Sequence, residues 1–206
     1  VYVGDPVNVL SIFNDFEVDE MLLVDIGAAK NRSPVQFDRL EKFASEAFVP
    51  LAYAGGLERV EDAERLIRIG YEKVVFNTAL VERPEVVRDA VRVLGSQAVV
   101  AGLDLVRGDD GLRVVVRSAT REAPLSLEQW CEHATALGVG EVFVTGVDRE
   151  GTREGVDLEM VARIAELVDV PVIAHGGAGT RTHLVEAIRD GGAQAVAAGS
   201  QFVMQS

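Results

Sequence analysis

The stretch "VPLAYAGG" at residues 49–56 returns as "VPVIAHGG" at residues 170–177, a separation of 121 residues from Val49 to Val170. The same separation joins "VDEMLLVDI" (18–26) to "VGEVFVTGV" (139–147) and "IRIGYEKVVFNTAL" (67–80) to "IRDGGAQAVAAGSQ" (188–201). Each copy holds apolar runs, a Gly-Gly pair and an amphipathic segment in the same order. The chain is therefore an internal repeat of one strand–loop–helix series.

Short apolar runs predict the strands of a parallel sheet. They recur at about residues 20–26, 50–54, 73–77, 97–104, 141–147, 170–174 and 194–199. Continuous runs of this length are typical of strands buried on both faces. Amphipathic segments lie between them, and Pro84 stands where a helix start is expected. This alternation predicts a right-handed α/β fold, either a closed barrel or an open doubly wound sheet. A twofold repeat of four strands makes eight, which favours the (β/α)8 TIM barrel.

The repeat also predicts what the given residues leave out. The run "SQAVVAGLDLV" (96–106) would have its twin 121 residues earlier, before Val1. We therefore expect a first strand and a final helix to be missing from residues 1–206. Those residues are expected to form a single barrel domain with halves of roughly 1–94 and 95–206. The alternative is a natural sheet of seven strands. Residues 105–125 are expected to form a hairpin after a strand.

Composition excludes several classes of protein. A net charge of −13 argues against nucleic acid or an anionic membrane as the main partner. The single cysteine, Cys131, rules out an internal disulfide framework and favours a reducing cytoplasm. No apolar run is long enough to span a membrane. His133, His175 and His183 show no ligand spacing, so we expect neither a metal site nor a cofactor. The two Gly-Gly loops instead predict two anion sites, and hence a ligand with a phosphate at each end.

Six motifs carry a resemblance to a known family. They are "LLVDIGA" (22–28), "AGGL" (54–57), "VVFNTALVERP" (74–84), "GSQAVVAGLD" (95–104), "GVGEVFVTGVDREGT" (138–152) and "IAHGGAG" (173–179). Together they resemble the cyclase subunit of imidazole glycerol phosphate synthase, essentially from end to end. The stretch "VDREGTREGVD" (147–157) separates that family from the related isomerase of histidine synthesis. The resemblance implies a (β/α)8 barrel in which ammonia from a glutaminase partner attacks a ribulosyl-aminoimidazole bisphosphate. The products are imidazole glycerol phosphate and an aminoimidazole carboxamide ribotide.

Asp104 is the candidate acid/base. It ends a predicted strand at the face where barrel active sites lie, and ring closure needs proton transfers that a carboxylate can supply. A helix N-cap or a loop salt bridge is the structural alternative. The resemblance implies a second aspartate on the absent first strand, with Asp25 as the residue that supports it.

The resemblance also implies the binding residues. One phosphate is expected on Gly56, Asn77 and Thr78, and the other on Gly151, Gly177, Gly199 and Ser200. The repeat supports this division, because Gly56 pairs with Gly177 and Thr78 with Gly199. Thr145, Asp148 and His175 are expected to contact the substrate. Glu20, Lys73 and Glu141 stand at strand starts, where the resemblance implies a charged gate for ammonia beneath a docked glutaminase. A plain salt-bridge network that closes the barrel bottom is the alternative.

Several positions depart from the family pattern and keep other functions open. They are Ala54, Val106, the loop "RSATREAP" (117–124), Glu150 and His175. These changes resemble a divergent branch found in surface-sugar pathways, where ammonia is used to build an amidine on a nucleotide-linked sugar. A third possibility is a non-catalytic scaffold that only docks and activates a glutaminase.

Overall fold

The computed structural model describes residues 10, 13–14, 16, 18–31 and 33–203. In the first half, strands β1 (Met21–Val24), β2 (Leu51–Ala54) and β3 (Lys73–Phe76) alternate with helices. The helices are α1 (Ile26–Asn31), α2 (Phe37–Glu46), α3 (Val60–Arg68), α4 (Thr78–Glu82) and α5 (Pro84–Leu94). Pro84 occupies the first turn of α5, as the sequence predicts, because its missing N–H has no helical partner there.

The second half begins with a 3₁₀ turn at Ser96–Ala98 and the long strand β4 (Val99–Gly108). The strands that follow are β5 (Gly111–Val116), β6 (Arg121–Glu122), β7 (Glu141–Gly146), β8 (Val172–His175) and β9 (Ala195–Ala197). The helices are α6 (Leu127–Leu137), α7 (Leu158–Leu167), α8 (Arg181–Arg189) and α9 (Ser200–Val203). A capping box formed by Ser126 and Gln129 starts α6, since each side chain binds a backbone N–H of the other residue.

The sheet has the parallel order of a (β/α)8-type barrel. Within the described residues its path is β1-β2-β3-β4-β7-β8-β9, and each neighbouring pair on that path is parallel. From β2 to β7, the first residue of each strand pairs with the second residue of the strand before it in the sheet. The pairs are Lys73 with Ala52, Val99 with Val74, and Glu141 with Val100. A stagger in one direction tilts the strands and curls the sheet, as barrel closure requires. The predicted fold class is confirmed.

The repeat predicted from the sequence is visible in the element bounds. Helix α2 and helix α7 are 121 residues apart at both ends, and so are β2 with β8 and α3 with α8. The described part of the chain has no pairing between the edge strands β1 and β9. Phe202 of α9 packs on Phe13 and Phe16, with ring centroids 5.8 and 5.6 Å apart. The predicted first strand and final helix lie outside the described residues. The assignment of residues 1–206 to a single barrel domain remains a prediction.

The core lies between the curled sheet and the helices. Its largest fully buried side chains include Tyr53, Tyr71, Phe76 and Trp130. The expected hairpin is present: β4 continues past Asp104 and pairs antiparallel with β5, which pairs antiparallel with β6. Arg117, Ser118 and Ala119 turn this hairpin with positive φ angles of 56, 55 and 60°. No helix among the described residues is long and apolar enough to cross a membrane.

Candidate functional site

A cavity of about 340 Å³ opens at the carboxyl ends of the strands. Parallel strands of a barrel direct the loops that follow them to one face, so residues far apart in the chain meet there. The predicted site residues that line this cavity are Asp25, Gly56, Asn77, Thr78, Asp104, Thr145 and His175. The structure therefore brings together the acid/base candidate, the first predicted phosphate loop and two of the three expected substrate contacts.

Asp104 is a partly buried carboxyl group within strand β4. Burial raises the pKa of Asp104 to about 6, because the charged form loses hydration, and hydrogen bonds from Thr145 and Asn77 offset part of this rise. A carboxyl group with this pKa holds both protonation states near neutral pH. It can therefore both donate and accept a proton.

Asp25 directly follows strand β1 and caps the next helix. Its Oδ1 accepts a hydrogen bond from the N–H of Ala28 at 2.8 Å. A carboxylate at this position satisfies a free N–H of the first turn of α1. This contact fixes the side chain at the cavity wall and leaves the role of Asp25 beside a second acid as a prediction.

Both Gly-Gly loops need glycine for structural reasons. Gly55 and Gly56 have φ angles of 152 and 57°, and Gly176 and Gly177 have φ angles of 103 and 90°. A methyl group on Gly56 would come within 3.0 Å of the Cβ atom of Ala28, and one on Gly177 would overlap the carbonyl oxygen of Gly155. In each half the pair packs on the loop that follows the neighbouring strand. The two loops are therefore equivalent in structure as well as in sequence.

The first predicted phosphate loop is braced by the hairpin after β4. Asn77 Nδ2 donates to the carbonyl oxygen of Gly102 at 3.1 Å, and the hydroxyl of Thr78 accepts from the N–H of Arg117 at 3.0 Å. The Arg117 guanidinium forms a two-pronged ion pair with Glu82 on helix α4, in which Nε lies 2.9 Å from Oε1. Arg121 joins the same carboxylate. This hairpin forms one wall of the cavity.

The other predicted residues lie outside the cavity lining. Gly151 and Gly199 have open space around the Cβ position, and Gly177 is packed beneath the loop of residues 147–155. Asp148 is exposed, and its Oδ2 accepts from the N–H of Arg107 at 2.6 Å. The side chain of Ser200 lies outside the described part of the chain. Both phosphate sites and the contact from Asp148 remain predictions.

His175 ends strand β8 and faces two polar partners. Its Nδ1 lies 3.3 Å from the hydroxyl of Thr145, and its Nε2 lies 3.3 Å from Oε2 of Glu150. The ring also stacks at a tilt on Phe143, with centroids 5.2 Å apart. Burial lowers the pKa of His175, and the Glu150 carboxylate partly opposes this change. The imidazole is thus held in place on the cavity wall.

The three charged residues at the strand starts form one cluster. Lys73 Nζ lies 2.7 Å from Oε2 of Glu20 and 3.0 Å from both carboxylate oxygens of Glu141. Partial burial opposes the charge on Lys73, but the hydrogen bonds to both glutamates outweigh it and raise the pKa of the ammonium group. The cluster lies at the end of the strands opposite the cavity. Its geometry fits both the predicted gate and the structural salt-bridge alternative.

The sequence did not identify Phe143, Glu82 or Arg117 as candidate site residues, although all three line the cavity. Glu150 also lines the cavity, and the sequence marked it only as a departure from the family pattern. The charge density of residues 117–122 was the available signal for the hairpin. The described residues contain no group of three His, Cys, Asp or Glu side chains arranged to hold a metal ion.

The comparisons with known proteins agree with this geometry. The profile described as "Histidine biosynthesis protein" matches residues 1–206. The chain belongs to this family. A HisF subunit of imidazole glycerol phosphate synthase from Alkaliphilus metalliredigens is 39% identical over 200 residues, which cover 97% of this chain and 79% of the relative. The HisF subunit of Kocuria rhizophila is 40% identical over 202 residues, with the same two coverages.

A relative from Pseudomonas aeruginosa carries the provisional name imidazole glycerol phosphate synthase subunit hisF2. It is 39% identical over 203 residues, which cover 98% of this chain and 81% of the relative. The resemblance read from the six motifs is confirmed by these matches. Identities this similar do not separate one branch of the family from another.

Proposed function

We propose that this chain is the cyclase subunit of an imidazole glycerol phosphate synthase in histidine biosynthesis. It uses ammonia to convert a ribulosyl-aminoimidazole bisphosphate into imidazole glycerol phosphate and an aminoimidazole carboxamide ribotide. The observation that carries the proposal is Asp104, a carboxyl group with a pKa of about 6 inside a cavity at the carboxyl ends of the strands. Family membership and the HisF names of the relatives support the choice of reaction.

Asp104 performs the proton transfers of the reaction. Addition of ammonia and closure of an imidazole ring require that protons leave nitrogen and reach carbonyl oxygen. A carboxyl group with a pKa of about 6 is populated in both protonation states near neutral pH, so it can serve both directions. Thr145 is the register partner of Asp104 on strand β7, and Asn77 directly follows the neighbouring strand β3 on the other side.

The two phosphates of the substrate bind at the two Gly-Gly loops. Gly56, Asn77 and Thr78 take one phosphate at the cavity wall, and Gly151, Gly177, Gly199 and Ser200 take the other. Gly56 and Gly177 have positive φ angles, and turns of this kind can direct backbone N–H groups at an anion. The equivalence of the two loops supports a substrate that is similar at both ends.

Ammonia reaches the cavity from a glutaminase partner at the opposite end of the barrel. We propose that this partner docks around the cluster of Glu20, Lys73 and Glu141, which gates the passage. The pairing of one ammonium with two carboxylates supports this role, because such a cluster opens when a partner's charge competes for Lys73. The proposed location is the cytoplasm.

The proposal is tested by turnover of the bisphosphate with excess ammonium salt at alkaline pH, without a partner. Full-length protein is compared with Asp104→Asn and with Asp109→Asn, which alters an exposed turn outside the cavity. We expect a loss of at least about 10²-fold in Asp104→Asn and none in Asp109→Asn. No turnover by the unmodified protein contradicts the proposal.

The amidine-forming reaction on a nucleotide-linked sugar is the second candidate. The observation that favours it is the cavity wall, where His175 and the turn at Arg117–Ala119 stand in the place of family residues. Turnover of a keto sugar nucleotide with ammonium, and none of the bisphosphate, selects this candidate. If neither compound reacts but a glutaminase is still activated, the chain is the non-catalytic scaffold.

A further inference from the structure

Asp104, Thr145 and His175 form a row across three neighbouring strands. Asp104 is the register partner of Thr145, and Thr145 is the register partner of His175. Neighbouring strands lie about 4.8 Å apart, and register partners direct their side chains to the same face. The Thr145 hydroxyl lies 3.3 Å from the imidazole Nδ1 of His175 on one side. On the other side its neighbour is Asp104, its register partner on strand β4.

When the Thr145 hydroxyl bonds both Asp104 and His175, the proton count along this row allows two arrangements. When Nε2 of a neutral His175 donates to Glu150, Nδ1 can only accept, so the hydroxyl of Thr145 donates to it. That hydroxyl has a single proton, so it can then only accept from Asp104, which must be protonated. When Asp104 is ionised, the hydroxyl turns to donate to it, and His175 must carry a second proton at Nδ1.

We propose that Thr145 relays a proton between Asp104 and His175, and that Glu150 stabilises the imidazolium that results. In the transfer, the O–H bond of Asp104 breaks while its proton bonds to Thr145 Oγ1. The former hydroxyl proton of Thr145 bonds to His175 Nδ1 at the same time. Two neutral groups thereby become a carboxylate and an imidazolium, and no other reactant is needed. Thr145, His175 and Glu150 are positioning residues that set the protonation state of Asp104.

The charges around His175 fit this scheme. Among the described residues, Glu150 is within ion-pair distance of the ring. On the neighbouring strand β9, its register partner is the uncharged Ala197. The other charged side chains of the cavity belong to elements from β1 to the turn between β5 and β6, namely Asp25, Glu58, Glu82, Arg83 and Arg117. The pKa of Asp104 is raised and the pKa of His175 is lowered, so the two pKa values move towards each other. Groups with similar pKa values can exchange a proton readily.

The repeat supplies an internal comparison for these positions. The residues 121 positions before Thr145, Glu150 and His175 are Val24, Ala29 and Ala54. The scaffold of the first half thus folds with aliphatic side chains where the second half has hydroxyl, carboxyl and imidazole groups. The barrel itself does not need this polar row, so a role in the chemistry of the cavity explains it better.

The relay is tested by NMR titration of His175 without substrate. The chain has three histidines, so His175→Gln assigns the signal. Asp104→Asn is expected to lower the titration midpoint of His175 by about 0.5–1 pH unit, because the imidazolium loses its carboxylate. In the background of Thr145→Val the same change is expected to shift the midpoint by less than about a third of that amount. Thr145→Ser keeps the hydroxyl and is expected to restore the full shift.

Equal shifts with and without the hydroxyl overturn the relay, because they show that charge acts through space alone. Absence of a shift when Thr145 is present also overturns it. Valine already occupies the twin position 24, so Thr145→Val is expected to fold, and circular dichroism checks this. The use of the relay in turnover rests on the proposed cyclase function, but the titration does not. A failed titration with intact turnover removes the relay alone, and a failed turnover with intact coupling removes the cyclase function alone.

Discussion

Asp104 shows how one side chain acquires its chemistry from its surroundings. Strand β4 places the carboxyl group among buried neighbours, where loss of hydration outweighs the hydrogen bonds from Thr145 and Asn77. The neutral form is therefore favoured in the folded protein, whereas the unfolded chain leaves the group in water. A carboxyl group in these surroundings costs the fold some stability wherever the solution is basic enough to ionise it.

Asp104→Asn is expected to stabilise the folded protein at alkaline pH. The folded pKa of about 6 exceeds the unfolded value, so the unfavourable contribution of the carboxylate is absent below about pH 4 and complete above about pH 6. The shift of roughly two units corresponds to about 2–3 kcal/mol at pH 8. Urea unfolding at about pH 4 and pH 8 measures this difference. Asp169→Asn, at an exposed site, is the control and is expected to give no gain.

The positions in the fold that the sequence predicted well are those that follow from the spacing of apolar residues. Asp104 and His175 fall within or at the end of apolar strands, and barrel strands share one functional face. Glu150 and Arg117 belong to irregular loops, whose course depends on contacts with residues distant in sequence. Arg117 reaches the cavity only because three successive residues adopt positive φ, and no pattern of L-residues predicts that.

At the scale of elements, the loops after the strands decide what the cavity can bind. Helix and strand bounds follow the apolar pattern, as in β2 and β3, whereas the loops depend on close backbone approach. Gly177 lies under the loop of residues 147–155, and the N–H of Gly155 donates to its carbonyl oxygen at 2.8 Å. Glycine is required there by packing, independently of any anion.

Gly177→Ala is expected to reduce the free energy of unfolding by about 2–4 kcal/mol, because the added methyl group overlaps the carbonyl oxygen of Gly155 at a positive φ. Gly151→Ala is the matched control. Its φ is 79°, but the space around it is open, so the expected loss is about 1–2 kcal/mol. Denaturant unfolding of both variants measures the difference, and equal losses would show that backbone angle alone matters.

The turn between β5 and β6 allows the reverse substitution, from alanine to glycine, to be tested at a positive φ. Ala119 has a φ of 60°, which strains a residue with a side chain, so Ala119→Gly is expected to be neutral or to stabilise the protein by up to about 1 kcal/mol. Ala136→Gly, at an exposed position of helix α6, is expected to cost about 1 kcal/mol. Thermal unfolding compares the two variants. A loss at residue 119 as large as that at residue 136 argues against strain in the turn.

At the scale of the whole molecule, the barrel separates two charged regions. The cavity lies at the carboxyl ends of the strands, and the cluster of Glu20, Lys73 and Glu141 lies at their amino ends. The side chains of this cluster are 20 to 30% exposed, so its members are only partly hydrated. Removal of the cation leaves two carboxylates close together without compensation.

Lys73→Met is expected to destabilise the protein by about 1–3 kcal/mol, as in partly buried ion pairs that lose one partner. The raised pKa of Lys73 keeps its contribution complete below the ordinary value, so the loss should be the same at about pH 7 and pH 9.5. Arg92→Met, from an exposed pair with Asp89, is the control and should cost less than about 0.5 kcal/mol. Chemical unfolding at both pH values decides between these outcomes.

The offset of 121 residues also indicates that the chain arose by duplication of a half-barrel. A half-barrel that was copied once would have begun with identical residues at every twin position. Pro50 and Pro171, like Gly70 and Gly191, have stayed alike, whereas the twin of Lys73 is Gln194. Twins that agree mark what each half inherited in order to fold, and twins that differ mark where the copies took up separate tasks.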